Sequence, residues 1–236
     1  MFPLVPRNLP TLDLKPFTSG GVSYNAIYAA LYLTRQLRYT TPKHFKELDK
    51  IYPQWEFPKF CTAPKMKKIA ALGYLKETEE GSGIYTARDK CKPILEKAGF
   101  YIKLLPEEGK GLGEINALNN VDAFIQAHAM PHFFTLLYPN QGYIEPDAMV
   151  VQKDGQKIKL TCLEIEASKK RPDWLEDKRE NYLKLAKDYA FYEYWKDTAQ
   201  KLHLKIPTPE EFKFSVTFVG AVKKDFGEGF NFTEHL

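Results

Sequence analysis

The chain has 236 residues, of which 44% are apolar and 27% charged, a balance that argues against disordered and fibrous classes. Its length suits one large domain or two small ones, with a core that needs no covalent staples. The net charge of +4 conceals two unlike halves: residues through Leu105 hold 17 Lys and Arg against 9 Asp and Glu, and the remainder holds 17 against 21.

Residues 1–21 are proline-rich, end in Ser19-Gly20-Gly21 and read as an extended arm. From Val22 to Arg38, the spacing of Ile27, Leu31 and Leu33 fits a helix. Thr41-Pro42 resembles a helix start, with Thr41 as the cap and Pro42 in the first turn, and Tyr52-Pro53 closes that helix. A third helix begins at Ala63-Pro64, carries Met66, Ile69, Ala70 and Leu72 at helical spacing, and stops at Gly73. Two short strands around Glu79-Glu80-Gly81-Ser82-Gly83 read as a hairpin, and a further helix spans about 88–98.

Helix, helix, helix, hairpin, helix is the order of a winged helix-turn-helix, and the segment KMKKIAALGYLKE…GSGIYTAR resembles the third helix and wing of that family. The resemblance implies that this helix enters the DNA major groove. Thr62, Lys65, Lys67 and Lys68 would then meet phosphates or base edges, and Ser82 and Tyr85 on the wing would touch the backbone. The alternatives are a solvated lysine face, a core Tyr85, and a winged helix that binds protein.

Leu104–Gly113 is a Glu/Lys/Gly-rich linker candidate, which gives a DNA-binding domain over 22–105 and a second domain over 106–236. The second half reads as a helix (114–128), strands (133–138, 143–152, 157–166), a long helix (174–200) and a strand (212–221). This order predicts an α+β or α/β sheet core. Asp154-Gly155 marks a hairpin that sets Lys153 against Gln156 and Asp147 against Cys162.

Along the strand carrying Leu163-Glu164-Ile165-Glu166, alternate residues share a face, so Glu164 and Glu166 project together. Asp147, in Tyr143-Ile144-Glu145-Pro146-Asp147-Ala148, is the diagonal neighbour of Glu164. Carboxylates so grouped need positive charge among them: a divalent ion such as Mg2+ or Mn2+, or lysines, with Lys169, Lys170 and Arg171 following at once. Glu114 could join a metal site or simply favour a helix start.

Pro146-Asp147 and Glu164 resemble the PD-(D/E)XK nuclease superfamily, whose carboxylates bind metal that activates water against a phosphodiester. Glu166 stands where that motif has its lysine; some members of the superfamily carry Glu there, and others move the lysine to a following element, for which the candidates are Lys169, Lys170 and Lys178. Lys178 and Tyr182 lie four apart, on one helix face. The set PDA…LEIE…K…Y is also similar to the replication-relaxation family of plasmid and mobile-element proteins, which joins a winged helix to a nuclease-like domain.

That resemblance implies a restriction-endonuclease-like mixed sheet and Mg2+-dependent endonuclease chemistry by Asp147, Glu164, Glu166 and Lys178, with Asp147, Glu164 and Glu114 as metal ligands. The rival expectation is a non-catalytic regulator of replication or transcription that keeps a degenerate nuclease fold. DNA is the expected partner, with a homodimer or a partner protein also open through the aromatic helix around Tyr182, Tyr189, Tyr192, Tyr194 and Trp195. Cys61, Cys91 and Cys162 are far apart and form no CxxC, which argues against a disulfide framework and fits a cytoplasmic setting. There is no apolar run long enough to span a membrane, and the proline-rich start makes a poor signal peptide. His128 and His132 flank a proline and read as structural rather than as a metal pair.

Overall fold

The computed structural model describes residues 24–59, 61–97, 100, 105, 114–140, 142–165, 173–221 and 224–236. The expected arm, Glu166, Lys169, Lys170 and Arg171 lie outside the described residues. The chain divides into two compact units, Met1–Ile125 and Gln126–Leu236. The division falls inside a helix, and the linker candidate Leu104–Gly113 lies, apart from Leu105, outside the described residues.

The first unit is built around α1 (Tyr24–Gln36), in which Ile27, Tyr28, Leu31 and Leu33 are buried. Its last turn also buries Arg35, whose guanidinium donates to the Ala87 carbonyl and to Asp89 Oδ1, both at 2.8 Å. A buried arginine persists because its donors are satisfied in this way. In α2 (Pro42–Ile51), Thr41 and His44 cap each other reciprocally and Pro42 occupies the first turn. Phe45 and Leu48 carry its buried face.

Two short 3₁₀ turns, Pro53–Trp55 and Phe57–Lys59, lead to α3 (Ala63–Ala71), which buries Met66 and Ile69. It stops before Gly73, whose φ of +79° a side chain would resist. Strands β1 (Leu75–Glu77) and β2 (Tyr85–Ala87) pair antiparallel. Thr40 bridges Tyr85 through two backbone bonds of 2.8 Å, adding a one-residue third strand that sequence spacing did not reveal. A 3₁₀ turn (Asp89–Cys91) and α4 (Lys92–Lys97) follow. The predicted helix and hairpin order is thus present.

Helix α5 (Glu114–His128) begins in the first unit, where Asp122 Oδ1 lies 3.6 Å from His44 Nε2. The second unit holds β3 (Phe133–Leu137), β4 (Ala148–Asp154), β5 (Lys157–Ile165), β6 (Ser215–Val219) and β7 (Phe230–Thr233) in the spatial order β3-β4-β5-β6-β7. The first three strands are antiparallel, whereas β5–β6 and β6–β7 are parallel. The parallel step from β5 to β6 requires a crossover, supplied by α6 (Trp174–Leu185) and α7 (Tyr189–Lys201). The result is a mixed sheet in an α+β chain.

Three local expectations change. The β4–β5 hairpin pairs Asp154 with Lys157 and turns on Gly155-Gln156, not Asp154-Gly155. Gly155, at φ +56°, takes the first central position, the place where a two-residue hairpin favours glycine. The shift is by two residues, so every side chain keeps its face. The long helix 174–200 is two helices, because Asp188 is extended and caps α7 through the Ala190 amide at 2.8 Å. Strand β4 starts only at Ala148, after Pro146, which cannot donate to the ladder.

Candidate functional site

The end of β5 and the start of β4 bring two carboxylates together. Ala148 pairs with Leu163, so one further step sets Asp147 level with Glu164. The Asp147 amide donates to the Leu163 carbonyl at 3.0 Å. Its Oδ2 accepts the Ile165 amide at 2.7 Å. Asp147 therefore ties the loop ahead of β4 onto the end of β5. The side chain is half-buried.

Glu164 is 3% exposed. A carboxylate so buried is costly without a partner. Lys178, in the second turn of α6, donates to its Oε1 at 2.8 Å. Tyr182, one turn further on, donates to the same oxygen at 2.7 Å. The four-residue spacing of Lys178 and Tyr182 puts both on the helix face that meets β5. Tyr182 is the member that sequence reasoning did not count as a site residue; its spacing from Lys178 was the available signal.

Burial raises the Glu164 carboxyl above its usual value, while Lys178 and Tyr182 oppose that shift and the neighbouring Asp147 reinforces it. Burial also drives the Tyr182 hydroxyl well above its ordinary range, with Cys162 and Glu164 adding to the effect. Tyr182 thus stays a donor. Among the described residues, the positive charge beside Glu164 comes from Lys178.

Among the described residues, no group of three or more His, Cys, Asp or Glu side chains is placed to share a metal ion. Asp147 and Glu164 form the described pair. Glu166 lies outside the described residues, and Glu114 opens α5 with its side chain outside what is described. Two carboxylates nonetheless fit Mg2+, which keeps several waters and commonly takes only one or two protein carboxylates.

In the first unit, α3 buries Met66 and Ile69 and turns Thr62, Lys67 and Lys68 to solvent. Lys65 is half-buried and donates to the Lys59 carbonyl, which ties it to the 3₁₀ turn ahead of α3. Lys90 donates to the Leu72 carbonyl at 2.8 Å, a cation at the C-terminal end of α3. Ser82 is exposed at the hairpin tip, where its hydroxyl accepts the Ile84 amide at 3.2 Å. Tyr85 is different: it is wholly buried at the hairpin base, and burial raises its hydroxyl above the ordinary range. It belongs to the core and is removed from the expected surface contacts.

The second unit also buries His128, packed on Phe133 with ring centroids 4.2 Å apart; burial alone pushes it down to about 3. Among the described residues, no helix is long and apolar enough to cross a membrane. Comparison with known proteins finds no matching family model, no matching curated protein and no matching solved structure.

Proposed function

We propose that the chain is a DNA-binding protein whose second unit carries a metal-dependent nuclease-type site acting on phosphodiester bonds, in a cytoplasmic setting tied to plasmid or mobile-element DNA. The observation that carries the reading is the trio Asp147, Glu164 and Lys178. Two carboxylates sit at neighbouring strand ends in a mixed sheet, and the lysine absent from the strand motif arrives from the next helix at 2.8 Å. That placement supports the relocated-lysine form of the nuclease resemblance.

Asp147 and Glu164 would hold Mg2+ or Mn2+, which supplies a bound water acidic enough to attack a phosphodiester. Lys178 would neutralise charge gathering on the phosphate. Glu166 serves as a further ligand or base. In the first unit, the helices, the hairpin and the Thr40 bridge have the order of a winged helix. Exposed Thr62, Lys67 and Lys68 on α3 would meet the duplex, with Lys65 behind them and Ser82 at the wing.

The test is cleavage of supercoiled, linear and branched DNA with Mg2+ or Mn2+, by wild type and by Asp147→Ala and Glu164→Ala. Metal-dependent cleavage lost in both variants supports the reading. A second reading is a non-catalytic regulator that uses this sheet as a scaffold. It is favoured by Glu164 Oε1 accepting from both Lys178 and Tyr182. Intact, salt-sensitive DNA binding with no cleavage under any metal would select it.

A further inference from the structure

A cleft of about 450 Å³ opens in the second unit between the start of β5, α7 and the segment leading to β6. At about 3.3 Å per residue, Lys157 at one end of β5 lies roughly 20 Å from Glu164 near the other. The cleft is therefore separate from the carboxylate pair.

Its composition is two-sided. Trp195, Leu160, Phe212 and Pro207 give it an apolar, partly aromatic lining. Three lysines, Lys157, Lys205 and Lys213, also line it, all exposed, against one acid, Glu211. Among the described residues none of these lysines has an ion-pair partner. Glu211 is already engaged, with Oε2 accepting the Thr208 amide at 3.1 Å.

The walls are preformed. The Tyr192 hydroxyl donates to the Pro207 carbonyl at 3.1 Å, tethering the segment to α7. The Phe212 amide donates to the Thr208 carbonyl at 3.0 Å. The Phe212 ring, half-buried, packs edge-on against Phe191 and Tyr192 at 5.6 and 5.7 Å. A fixed aromatic wall loses little entropy on receiving a planar ligand. The volume lies within the ~300–1,000 Å³ range of small-ligand sites.

Three lysines against one acid, beside an aromatic wall, suit a ligand with an anionic end and a flat apolar body. We propose that this cleft binds a nucleotide unit, its base against Phe212 and its phosphate between Lys205 and Lys213. The unit comes either from a free nucleotide or from a single nucleic-acid strand. The cleft's role does not depend on whether Asp147 and Glu164 cleave DNA.

The test uses the full chain with thymidine monophosphate and a fluorescein-labelled oligothymidylate as probes, followed by amide hydrogen exchange. A Lys67→Ala/Lys68→Ala background removes the α3 lysines from the oligonucleotide arm. The expected result is saturable binding with protection over residues 205–213. Lys205→Ala/Lys213→Ala and Phe212→Leu should each weaken it about tenfold. Tighter binding of the oligonucleotide than of the nucleotide assigns the site to a strand, and equal binding assigns it to a free nucleotide. Absence of saturable binding at millimolar concentration overturns the proposal. Affinity unmoved by these substitutions does the same, as does equal binding of polyglutamate, which would reduce the cleft to charge alone.

Discussion

The Lys178 ammonium and the Glu164 carboxylate meet at 2.8 Å, one on a helix and the other near the end of the central strand, with the carboxylate almost entirely out of water. Removing the lysine leaves a buried charge uncompensated, which costs about 3 kcal/mol. Lys178→Met should therefore lose that much stability near neutral pH. The sign of the pH effect follows from burial, which raises the Glu164 carboxyl. Its favourable contribution is complete below the ordinary carboxyl range and is lost as pH rises through the raised value. Without Lys178 that value climbs further, so the variant's deficit should shrink toward pH 4. Urea unfolding at pH 4 and pH 7 checks this, and equal deficits at both would contradict it.

Asp147 has a structural duty that can be separated from any metal. Its Oδ2 accepts the Ile165 amide, and an amide side chain can still accept there. Asp147→Asn should stay within about 1 kcal/mol of wild type, while Asp147→Ala should lose about 1–2 kcal/mol. Neither should show the Mg2+-dependent rise in Tm expected of wild type. A metal-induced shift retained in Asp147→Asn would remove this side chain from the metal site.

Acid should unfold the protein steeply because of His128. Its folded value, about 3, lies far below the ordinary 6.5, so its contribution is complete above 6.5 and is lost as pH falls toward 3. Through that window the unfolded chain binds one more proton, and stability falls by about 1.4 kcal/mol per pH unit from this residue alone. His44, lowered chiefly by burial, adds in the same direction. His128→Gln should flatten the stability–pH curve below pH 6. An unchanged slope would show that other groups govern acid unfolding.

The α3 lysines should matter for binding and not for folding, because Lys67 and Lys68 are exposed. Lys67→Ala/Lys68→Ala should leave Tm unchanged. It should reduce the slope of log affinity for duplex DNA against log salt by about 2, one phosphate contact for each lysine. Fluorescence anisotropy over a salt series reads this directly. An unaltered slope would place the duplex elsewhere.

Signals held within one turn were legible in sequence, and those that depend on tertiary partners were not. Thr41-Pro42 and Gly73 marked helix ends correctly, because capping and positive φ are set by the residue itself. The break at Asp188 carried only the weaker mark of an aspartate able to cap, with no glycine or proline in Ala186-Lys187-Asp188-Tyr189. Asp188 is held instead by the Tyr143 hydroxyl at 2.7 Å, a partner 45 residues away. Strand β7 was missed because Phe230 and Phe232 earn their place by stacking on Phe218, at centroid distances of 6.4 and 5.0 Å. At the site, period-two spacing paired Asp147 with Glu164 on one face even though the turn was placed one residue early. Spacing left Tyr85 open between wing contact and core; its burial decides for the core, where its backbone bridges Thr40, 45 positions upstream.

The parallel pairing of β5 with β6 also has a temporal meaning. Thr161 and Ser215, hydroxyl to hydroxyl at 3.0 Å, are 54 residues apart in sequence, whereas Glu164 and Lys178 are only 14 apart. Contacts that close long loops form late, because chain entropy must be overcome before they give any return. The β4–β5 hairpin and α6 can thus meet as a local piece, assembling the carboxylate–lysine contact early. The basic cleft needs the start of β5 together with a segment beyond α7, and so it takes shape only when the crossover closes.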